Sequence, residues 1–362
     1  MVSKIFSHDD HVRGYWLTKS DATLIHWEDG KLAVVEQNAC APKSYKHHVI
    51  QEFRELIESD PEILQGFTEM FDTLQDTGAV DSYTKMLAVF DVVLGEAPIF
   101  KNNTMVAFPI LAVVIGPMAT SAGFRMFSHP RVNAMIKKML DTWYQYLSSP
   151  LSRYVLNDGP TGWFGPAASH IFPNFASTFI CDPFAPYHGF QSWEDFFVRR
   201  FRPGVRPVHF PEDDSIVTSA CESSVFRIEH NVKDVAQFWL KGHPYSVLRM
   251  LNHDPLSLQF VGGTVYQAFL SALEYHRWHS PVNGTVVKTV VVPGTYYLEA
   301  IGLMDDPGLP RKTPGPDPRR LNRSQDCMAM VAARCLIFIQ ADNPAIGLMC
   351  FVGIGDDILG PF

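Results

Sequence analysis

Apolar residues recur at intervals of three and four between residues 51 and 149, which places them along one face of α-helices. Asp60 and Pro61 mark the start of one helix, because aspartate can accept free backbone N–H groups and proline at the first helical position needs no acceptor. Another stripe predicts a helix from Val132 to Leu147. The stripe positions are Phe53, Leu56, Ile57, Ile63, Phe67, Met70, Phe71 and Leu74, and then Met135, Ile136, Met139, Leu140, Trp143 and Leu147. We interpret their aromatic and methionine side chains as core packing.

Beyond Val208 the pattern changes to short runs that are rich in β-branched residues and separated by Gly and Pro, which is typical of strands. The predicted strands are residues 215–220, 223–229, 285–292, 296–300, 332–340 and 347–354. Residues 157–189 predict an irregular connection and residues 305–323 a surface loop, because both segments are rich in Gly and Pro. We therefore predict an α+β protein, with a helical N-terminal extension in residues 1–182 and a β-rich domain in residues 183–362.

Composition and charge narrow the class of partner. The chain has 362 residues, of which 46% are hydrophobic and 19% charged, a globular composition. Its 30 basic and 38 acidic residues give a net charge of −8, which does not favour nucleic acid, so a small-molecule substrate is expected. The six cysteines form no CxxC pair and the N-terminus lacks an apolar secretion signal, so we expect reduced thiols and a cytoplasmic location.

One stretch, from Met105 to Phe124, is long enough and sufficiently free of charge to span a bilayer. It contains Pro109, Gly116 and Pro117, which would break a single long helix. We therefore predict a buried pair of helices in place of a membrane span, and we do not expect the protein to act at a membrane.

Two histidines, His276 and His279, stand three residues apart, just before a turn from Pro281 to Gly284 that leads into a predicted strand. Imidazole titrates near neutral pH, so such a pair indicates either metal ligands or a general acid/base pair. A zinc site is the weaker of these two interpretations, because no third ligand lies at metal-binding spacing. The structural alternative is that one histidine packs in the core and the other is solvated.

Two segments resemble a known family. Tyr275 to Val286, YHRWHSPVNGTV, resembles the histidine motif of the pyruvoyl-dependent phosphatidylserine decarboxylase family. Phe190 to Val208, FQSWEDFFVRRFRPGVRPV, resembles the FFxRxxxPxxRP signature of the same family. Gln51 to Leu74, together with Trp278 and Asn283, resembles the soluble fungal members, among them pyruvoyl-type L-tryptophan decarboxylases. The resemblance implies a carboxy-lyase with a phosphatidylserine-decarboxylase-like catalytic domain.

The resemblance also implies roles for individual residues. His279 matches the histidine that activates a serine for autocatalytic cleavage of a zymogen, and His276 matches the histidine that acts in decarboxylation. Tyr275 and Trp278, which flank His276 in the same motif, are candidate substrate-binding residues.

The acid partner of the cleavage histidine lies in a VSPxDG segment of the family, and residues 217–222 correspond to that segment here. Cys221 stands where the aspartate is expected, and Glu222 follows it. We predict that Glu222 orients His279 by accepting an imidazole N–H. The structural alternative is a solvated glutamate in a bend.

Decarboxylation of an amino acid needs an electron sink that side chains do not supply. The resemblance implies a covalent pyruvoyl group, which the family forms from the serine of a Gly-Ser-Ser or Gly-Ser-Thr motif. This sequence contains no Gly-Ser dipeptide. We therefore expect the β-rich domain to be incomplete at its C-terminal end. The chain is then either a processed first chain, with the pyruvoyl serine on a short second chain, or an internally deleted form. Activity of the chain alone is left open, as is a homo-oligomer.

Three functions are compatible with these motifs. The first is a pyruvoyl-dependent decarboxylase of a soluble amino acid in secondary metabolism, with an aromatic substrate such as tryptophan favoured only by the resemblance. The second is a phosphatidylserine decarboxylase in phospholipid synthesis, which the net charge of −8 disfavours because anionic lipid surfaces attract basic proteins. The third is a truncated, non-catalytic member of the family.

Overall fold

A computed structural model of the chain describes residues 21–38, 45–74, 79–100, 109–234, 245–270, 273–298 and 328–355. These residues form two compact units: the first contains the described residues up to Ala168 together with 295–298, and the second contains Ser169–Gly294 and 328–355. The predicted boundary between residues 182 and 183 stays a prediction, because a compact unit need not coincide with a functional domain. The predicted loop at 305–323 lies outside the described residues.

Helices make up the first unit. They are α1 (Asp21–Asn38), α2 (His48–Ser59), α3 (Pro61–Asp72), α4 (Tyr83–Val93), α5 (Pro109–Val114), α6 (Ser121–Ser128) and α7 (Pro130–Leu147). The predicted apolar stripes supply its core: Phe53, Ile63, Phe67, Met139 and Trp143 are each at most 1% exposed. The predicted start of α3 is confirmed, since the Asp60 carboxylate accepts the backbone N–H groups of Glu62 at 3.1 Å and Ile63 at 3.4 Å.

The long uncharged stretch is broken as its prolines and glycine predict. Helix α5 ends at Val114, a short 3₁₀ helix follows at Pro117–Ala119, and α6 starts where the Thr120 hydroxyl accepts the backbone N–H of Gly123 at 2.9 Å. Both helices are largely buried, although residues 105–108 of the predicted stretch lie outside the description. Within the described ranges, no helix is long and apolar enough to cross a membrane.

The second unit contains all the described strands and several short helices, which confirms the α+β class. Its elements are α9 (Phe175–Thr178), α10 (Trp193–Phe197), α11 (Val247–Met250), β1 (Ser224–His230), β2 (Thr264–Phe269), β3 (Gly284–Val292), β4 (Arg334–Ala341) and β5 (Leu348–Ile354), while α8 (Pro166–Ile171) lies across the division between the units. Strands β1 and β2 form an antiparallel pair, and β3, β4 and β5 form an antiparallel sheet with β4 in the centre.

Strand β4 is buried on both faces, which is why its sequence is a nearly continuous apolar run. Leu336 and Phe338 pack on one face, and Ile337 and Ile339 pack on the other. Near the start of β4 the buried Arg334 donates to the carbonyl oxygens of Met250, Ala332 and Arg249 at 2.7–2.8 Å. The bonds to Met250 and Arg249 satisfy carbonyl groups at the end of α11, and burial lowers the pKa of the guanidinium.

The predicted strands at 223–229, 285–292, 332–340 and 347–354 are confirmed to within two residues at each end. The strand predicted at 215–220 is wrong, because this segment makes isolated backbone hydrogen bonds to the histidine motif and pairs in neither sheet. Residues 296–298 are not a strand either, since the N–H of Tyr296 is taken by the Asn133 side chain at 3.2 Å, and residues 299–300 lie outside the description.

Two sets of elements were not predicted. Strand β2 was missed although Gly262 and Gly263 mark a turn before a Val- and Tyr-containing run, and the positive φ of Gly262 (82°) is the backbone state that glycine supplies. The connection at 157–189 is less irregular than predicted, because it contains α8, α9 and a 3₁₀ helix at Pro186–Gly189.

Gly284, the first residue of β3, has no room for a side chain. A Cβ atom at this position would lie 2.3 Å from the carbonyl oxygen of Gln340 and 3.0 Å from the Cα of Ala341. We expect Gly284→Ala to lower the free energy of unfolding by about 1–3 kcal/mol, because β3 must move away from β4. The measurement is urea denaturation, with hydrogen exchange at β3 and β4 as the local readout. Thr285→Ala, at the neighbouring exposed position, is the control, and equal effects of the two changes would contradict the prediction.

Candidate active site

The two motifs that resemble the decarboxylase family pack against each other. The ring of Phe197, the last residue of α10, stacks on His276 with ring centroids 3.9 Å apart and an interplanar angle of 23°. Phe201 stacks on Tyr275 in the same way, at 3.9 Å and 27°. Between these stacks, Arg277 Nε donates to the carbonyl oxygen of Val198 at 2.6 Å. The histidine segment is therefore held to the chain that leaves α10 by two ring stacks and a hydrogen bond.

A buried arginine joins the same two segments. Arg199 is 3% exposed, and its Nη2 donates to the carbonyl oxygen of Glu274 at 3.0 Å. Its guanidinium carbon lies 4.6–5.3 Å from the ring centroids of Phe172, Phe179 and Phe196. Burial lowers the pKa of this group to about 10, against the raising effect of Glu274 and Tyr275, so it stays charged at neutral pH. The aromatic faces partly replace the lost hydration.

A second arginine of the signature, Arg202, also binds backbone. Its Nε donates to the carbonyl oxygen of Ala176 at 2.7 Å and its Nη2 to that of Cys181 at 2.9 Å. The ring of Phe179, between these two carbonyls, stacks on Phe201 at 5.1 Å. These contacts fix residues 176–181 behind the stack that holds Tyr275.

The turn that follows the histidines is fixed by the chain on either side. Asn283 Nδ2 donates to the carbonyl oxygen of Pro211 at 2.8 Å and to Asp214 Oδ1 at 2.9 Å. The carbonyl oxygen of Asn283 accepts the N–H of Asp342, just beyond β4, at 2.9 Å. Because β3 begins one residue later, the position of the histidine segment is set by the edge of the three-stranded sheet.

His279 is exposed and lies beside the segment in which its acid partner was predicted. Its backbone N–H donates to the carbonyl oxygen of Ala220 at 2.9 Å, and the N–H of Thr218 donates to that of Pro281 at 2.9 Å. The hydroxyl oxygen of Thr218 lies 3.5 Å from His279 Nε2. The structure therefore places residues 218–220 next to the histidine motif.

The predicted acid, Glu222, is paired elsewhere. Its carboxylate forms an ion pair with Arg206, whose guanidinium carbon lies 5.2 Å from the ring centroid of Phe201. The structure brings His279 to Thr218 and does not bring it to Glu222. The role of Glu222 as the orienting acid therefore stays a prediction, and Arg206 is a partner that sequence reasoning did not identify.

The two candidate substrate-binding aromatics differ in exposure. Tyr275 is partly buried within the stack of Phe179 and Phe201. Trp278 is 49% exposed, and its ring stacks on Phe351 of β5 with centroids 4.8 Å apart and an interplanar angle of 22°. A substrate could therefore reach Trp278 directly, and the roles of both residues stay predictions.

Sequence reasoning gave no role to Glu194, a partly buried residue on α10. Burial raises its pKa to about 7, the charge of Arg277 opposes the rise, and the charge of Asp195 adds to it. One carboxyl oxygen, Oε2, is buried without a hydrogen-bond partner in the described part of the chain. The only sequence signal is the place of Glu194 in a helix that ends at Phe197, whose ring stacks on His276.

Metal ligands are a separate question. Among the residues that the structure describes, no group of three or more His, Cys, Asp or Glu side chains could hold a metal ion. The side chains in contact with the two imidazoles include the ring of Phe197 and the hydroxyl group of Thr218.

Comparison with known proteins assigns the family. Two family models, both described as phosphatidylserine decarboxylase, match residues 47–171 and residues 193–311. The decarboxylase iboD of Amanita muscaria is 45% identical over 247 residues, which cover 65% of this chain and 69% of that protein. The L-tryptophan decarboxylases of Psilocybe cubensis and Psilocybe cyanescens are 36% and 38% identical, over 94% and 84% of this chain and over 79% and 71% of their own lengths.

The chain belongs to the phosphatidylserine decarboxylase family. These relatives are fungal and cover most of the chain, so it belongs with the fungal branch that sequence analysis indicated. Membership of the family implies a carboxy-lyase with a small-molecule substrate and a pyruvoyl prosthetic group.

Glu194 makes the stability of this family member depend on pH. Its pKa is about 7 in the folded chain against an ordinary value of 4.5, so the folded chain holds a proton that the unfolded chain loses between these values. The contribution of Glu194 to stability is therefore fully present below about pH 4.5 and is lost as pH rises through 7. We expect Glu194→Gln to remove this loss, so that its stability relative to the parent is about 1–3 kcal/mol higher at pH 8 than at pH 4.5.

The measurement for Glu194→Gln is urea denaturation across this pH range. Glu212→Gln, at an exposed carboxylate of the same unit, is the matched control for the removal of one negative charge. A Glu194→Gln difference that does not rise with pH beyond that of the control would contradict the prediction.

Proposed function

We propose that this chain is the histidine-bearing part of a pyruvoyl-dependent decarboxylase that acts on a soluble amino acid with an aromatic side chain, tryptophan being the first candidate. The observation that carries the proposal is the packing of the histidine motif onto the signature segment, with the exposed Trp278 between His276 and His279. The L-tryptophan decarboxylase of Psilocybe cubensis, which matches 94% of the chain, supports the choice of substrate.

The side chains around the histidines fit a pyruvoyl group. When bound, such a group supplies the electron-withdrawing carbonyl that amino-acid side chains lack. The donor set at the site consists of two imidazoles and a hydroxyl group, which can exchange protons or donate hydrogen bonds near neutral pH. The aromatic residues Phe197 and Tyr275 restrict the access of water to one side of the segment.

His276 and His279 occupy different environments, which suits them to different proton transfers. His276 lies face to face with Phe197, so the stack fixes the orientation of its ring. We propose that it moves a proton during decarboxylation. His279 is exposed beside Thr218, and we propose that it accepts the hydroxyl proton of the serine that is cleaved to form the pyruvoyl group.

The serine itself is proposed to belong to a short second chain. This chain contains no Gly-Ser dipeptide, and Gly-Ser-Ser or Gly-Ser-Thr is the motif from which the family's group is expected to form. Copurification from the cells that naturally produce the protein tests this. We expect mass spectrometry of the tagged full chain to detect a stoichiometric partner peptide with a carbonyl-bearing, blocked N-terminus.

The isolated complex should release CO₂ from L-tryptophan and form tryptamine. Vesicles that contain phosphatidylserine are the comparison substrate, and preferred turnover of the lipid would replace the proposed function with the phospholipid-synthesis alternative. A complex with neither a pyruvoyl peptide nor turnover would establish the chain as a non-catalytic member of the family.

Substitution of each histidine separates the two proposed steps. His276→Ala should lower kcat for L-tryptophan by at least about 100-fold, because general acid/base catalysis typically contributes that much, and should leave the pyruvoyl peptide present. His279→Ala should prevent formation of that peptide. His209→Ala, at an exposed histidine of the same unit, is the control and should change neither result. Full turnover by His276→Ala, or normal peptide formation in His279→Ala, would remove the corresponding role.

A further inference from the structure

Trp278 is exposed over about half of its surface, yet the chain on both sides of it and its own ring make defined contacts. On its N-terminal side Arg277 donates to the carbonyl oxygen of Val198, and on its C-terminal side the N–H of His279 donates to that of Ala220. Its ring stacks on Phe351 at 4.8 Å. Because the indole is 49% exposed, much of the stabilisation that its full burial would give is not realised in the free chain. Its stacked orientation therefore points to a ligand that completes the burial.

Phe351, which supports Trp278 from behind, is fixed by the sheet. It lies opposite Ile337 in the pairing of β5 with β4, and it packs against the buried cluster of Val282, Ile337, Ile339 and Ala341. Gly353, two residues along the same face of β5, leaves space for the ring, since a Cβ atom there would lie 3.2 Å from Phe351 Cε1. The Trp278 and Phe351 rings therefore form a preorganised platform, which we call the aromatic platform.

We infer that the aromatic platform binds the planar side chain of the substrate by stacking on the exposed face of Trp278, and that Phe351 is a specificity-determining residue because it fixes that face. This inference rests on the proposed function and deepens it to substrates with a flat aromatic side chain. Trp278 lies one residue from His279 and two from His276, so a ring stacked on it lies against the histidine segment.

A polypeptide partner is the competing occupant of the platform, and the surroundings favour a small ligand. The two residues that follow Trp278 in sequence, His279 and Ser280, are polar and exposed. A protein interface usually has an apolar centre and a polar rim, whereas a site for an amino acid needs one apolar surface beside polar groups that orient it. The platform has the second arrangement.

The test uses the full chain labelled with 5-fluorotryptophan, in which the ¹⁹F resonance of Trp278 is assigned by its loss in Trp278→Phe. We expect titration with L-tryptophan to shift this resonance, and titration with L-leucine, an apolar but non-planar amino acid, to leave it unchanged. Phe351→Ala should weaken the binding of L-tryptophan about three- to tenfold, because the platform loses its support. Phe184→Ala, at a phenylalanine that is 96% exposed, should leave the affinity unchanged.

Three results would overturn the inference. The first is no movement of the Trp278 resonance with L-tryptophan, and the second is an equal shift with L-leucine. The third concerns the complex with the copurified second chain. If the second chain shifts the Trp278 resonance and L-tryptophan then causes no further shift, the platform belongs to a subunit interface.

Binding and turnover separate this inference from the proposed function. If the isolated complex is inactive and the Trp278 resonance still responds to L-tryptophan, the platform stands and the proposed function fails. If the complex is active and Trp278→Leu leaves the ratio of kcat/KM for L-tryptophan and L-leucine unchanged, the function stands and the platform is refuted.

Discussion

The burial of one charged side chain, Arg199, constrains the geometry of the candidate site. Removing a guanidinium from water costs several kcal/mol, and that cost is tolerable only where the surroundings replace the lost hydration. Here three phenylalanine rings face the guanidinium and the carbonyl oxygen of Glu274 accepts a hydrogen bond from it. This environment exists only when two segments 75 residues apart in sequence come together. The charge therefore specifies the contact that also sets Phe197 on His276.

The sequence predicts those elements whose secondary structure is determined within one short segment. The stripes of α2, α3 and α7, the Asp60 cap and the apolar run of β4 each follow from local periodicity or local hydrogen bonding. Periodicity carries no information on which distant segments pack together, so it could not predict that the two family motifs meet. In the structure Phe197 of one motif stacks on His276 of the other.

The remaining features depend on partners that are distant in sequence. Residues 215–220 have the composition of a strand, but the backbone of Thr218 is bound by Pro281 and that of Ala220 by His279, so the segment serves the turn and not a sheet. Glu222 is adjacent in sequence to the expected acid position, yet Arg206 takes its carboxylate. No local pattern reports such competition between partners. The raised pKa of Glu194 is equally hidden from local pattern, because its largest cause is burial in the folded chain.

The arginines of the signature segment position the backbone of the candidate site. Arg199 and Arg202 each donate to backbone carbonyl oxygens, as does Arg277 in the histidine motif. An arginine can satisfy several carbonyls at fixed angles, so it suits irregular backbone that has no sheet or helix partner. The extended segment that carries His276 and His279 is such backbone. Neighbouring side chains hold this segment, which has no ladder of strand-to-strand hydrogen bonds. The two imidazoles can therefore lie in different surroundings, one against an aromatic ring and one in solvent.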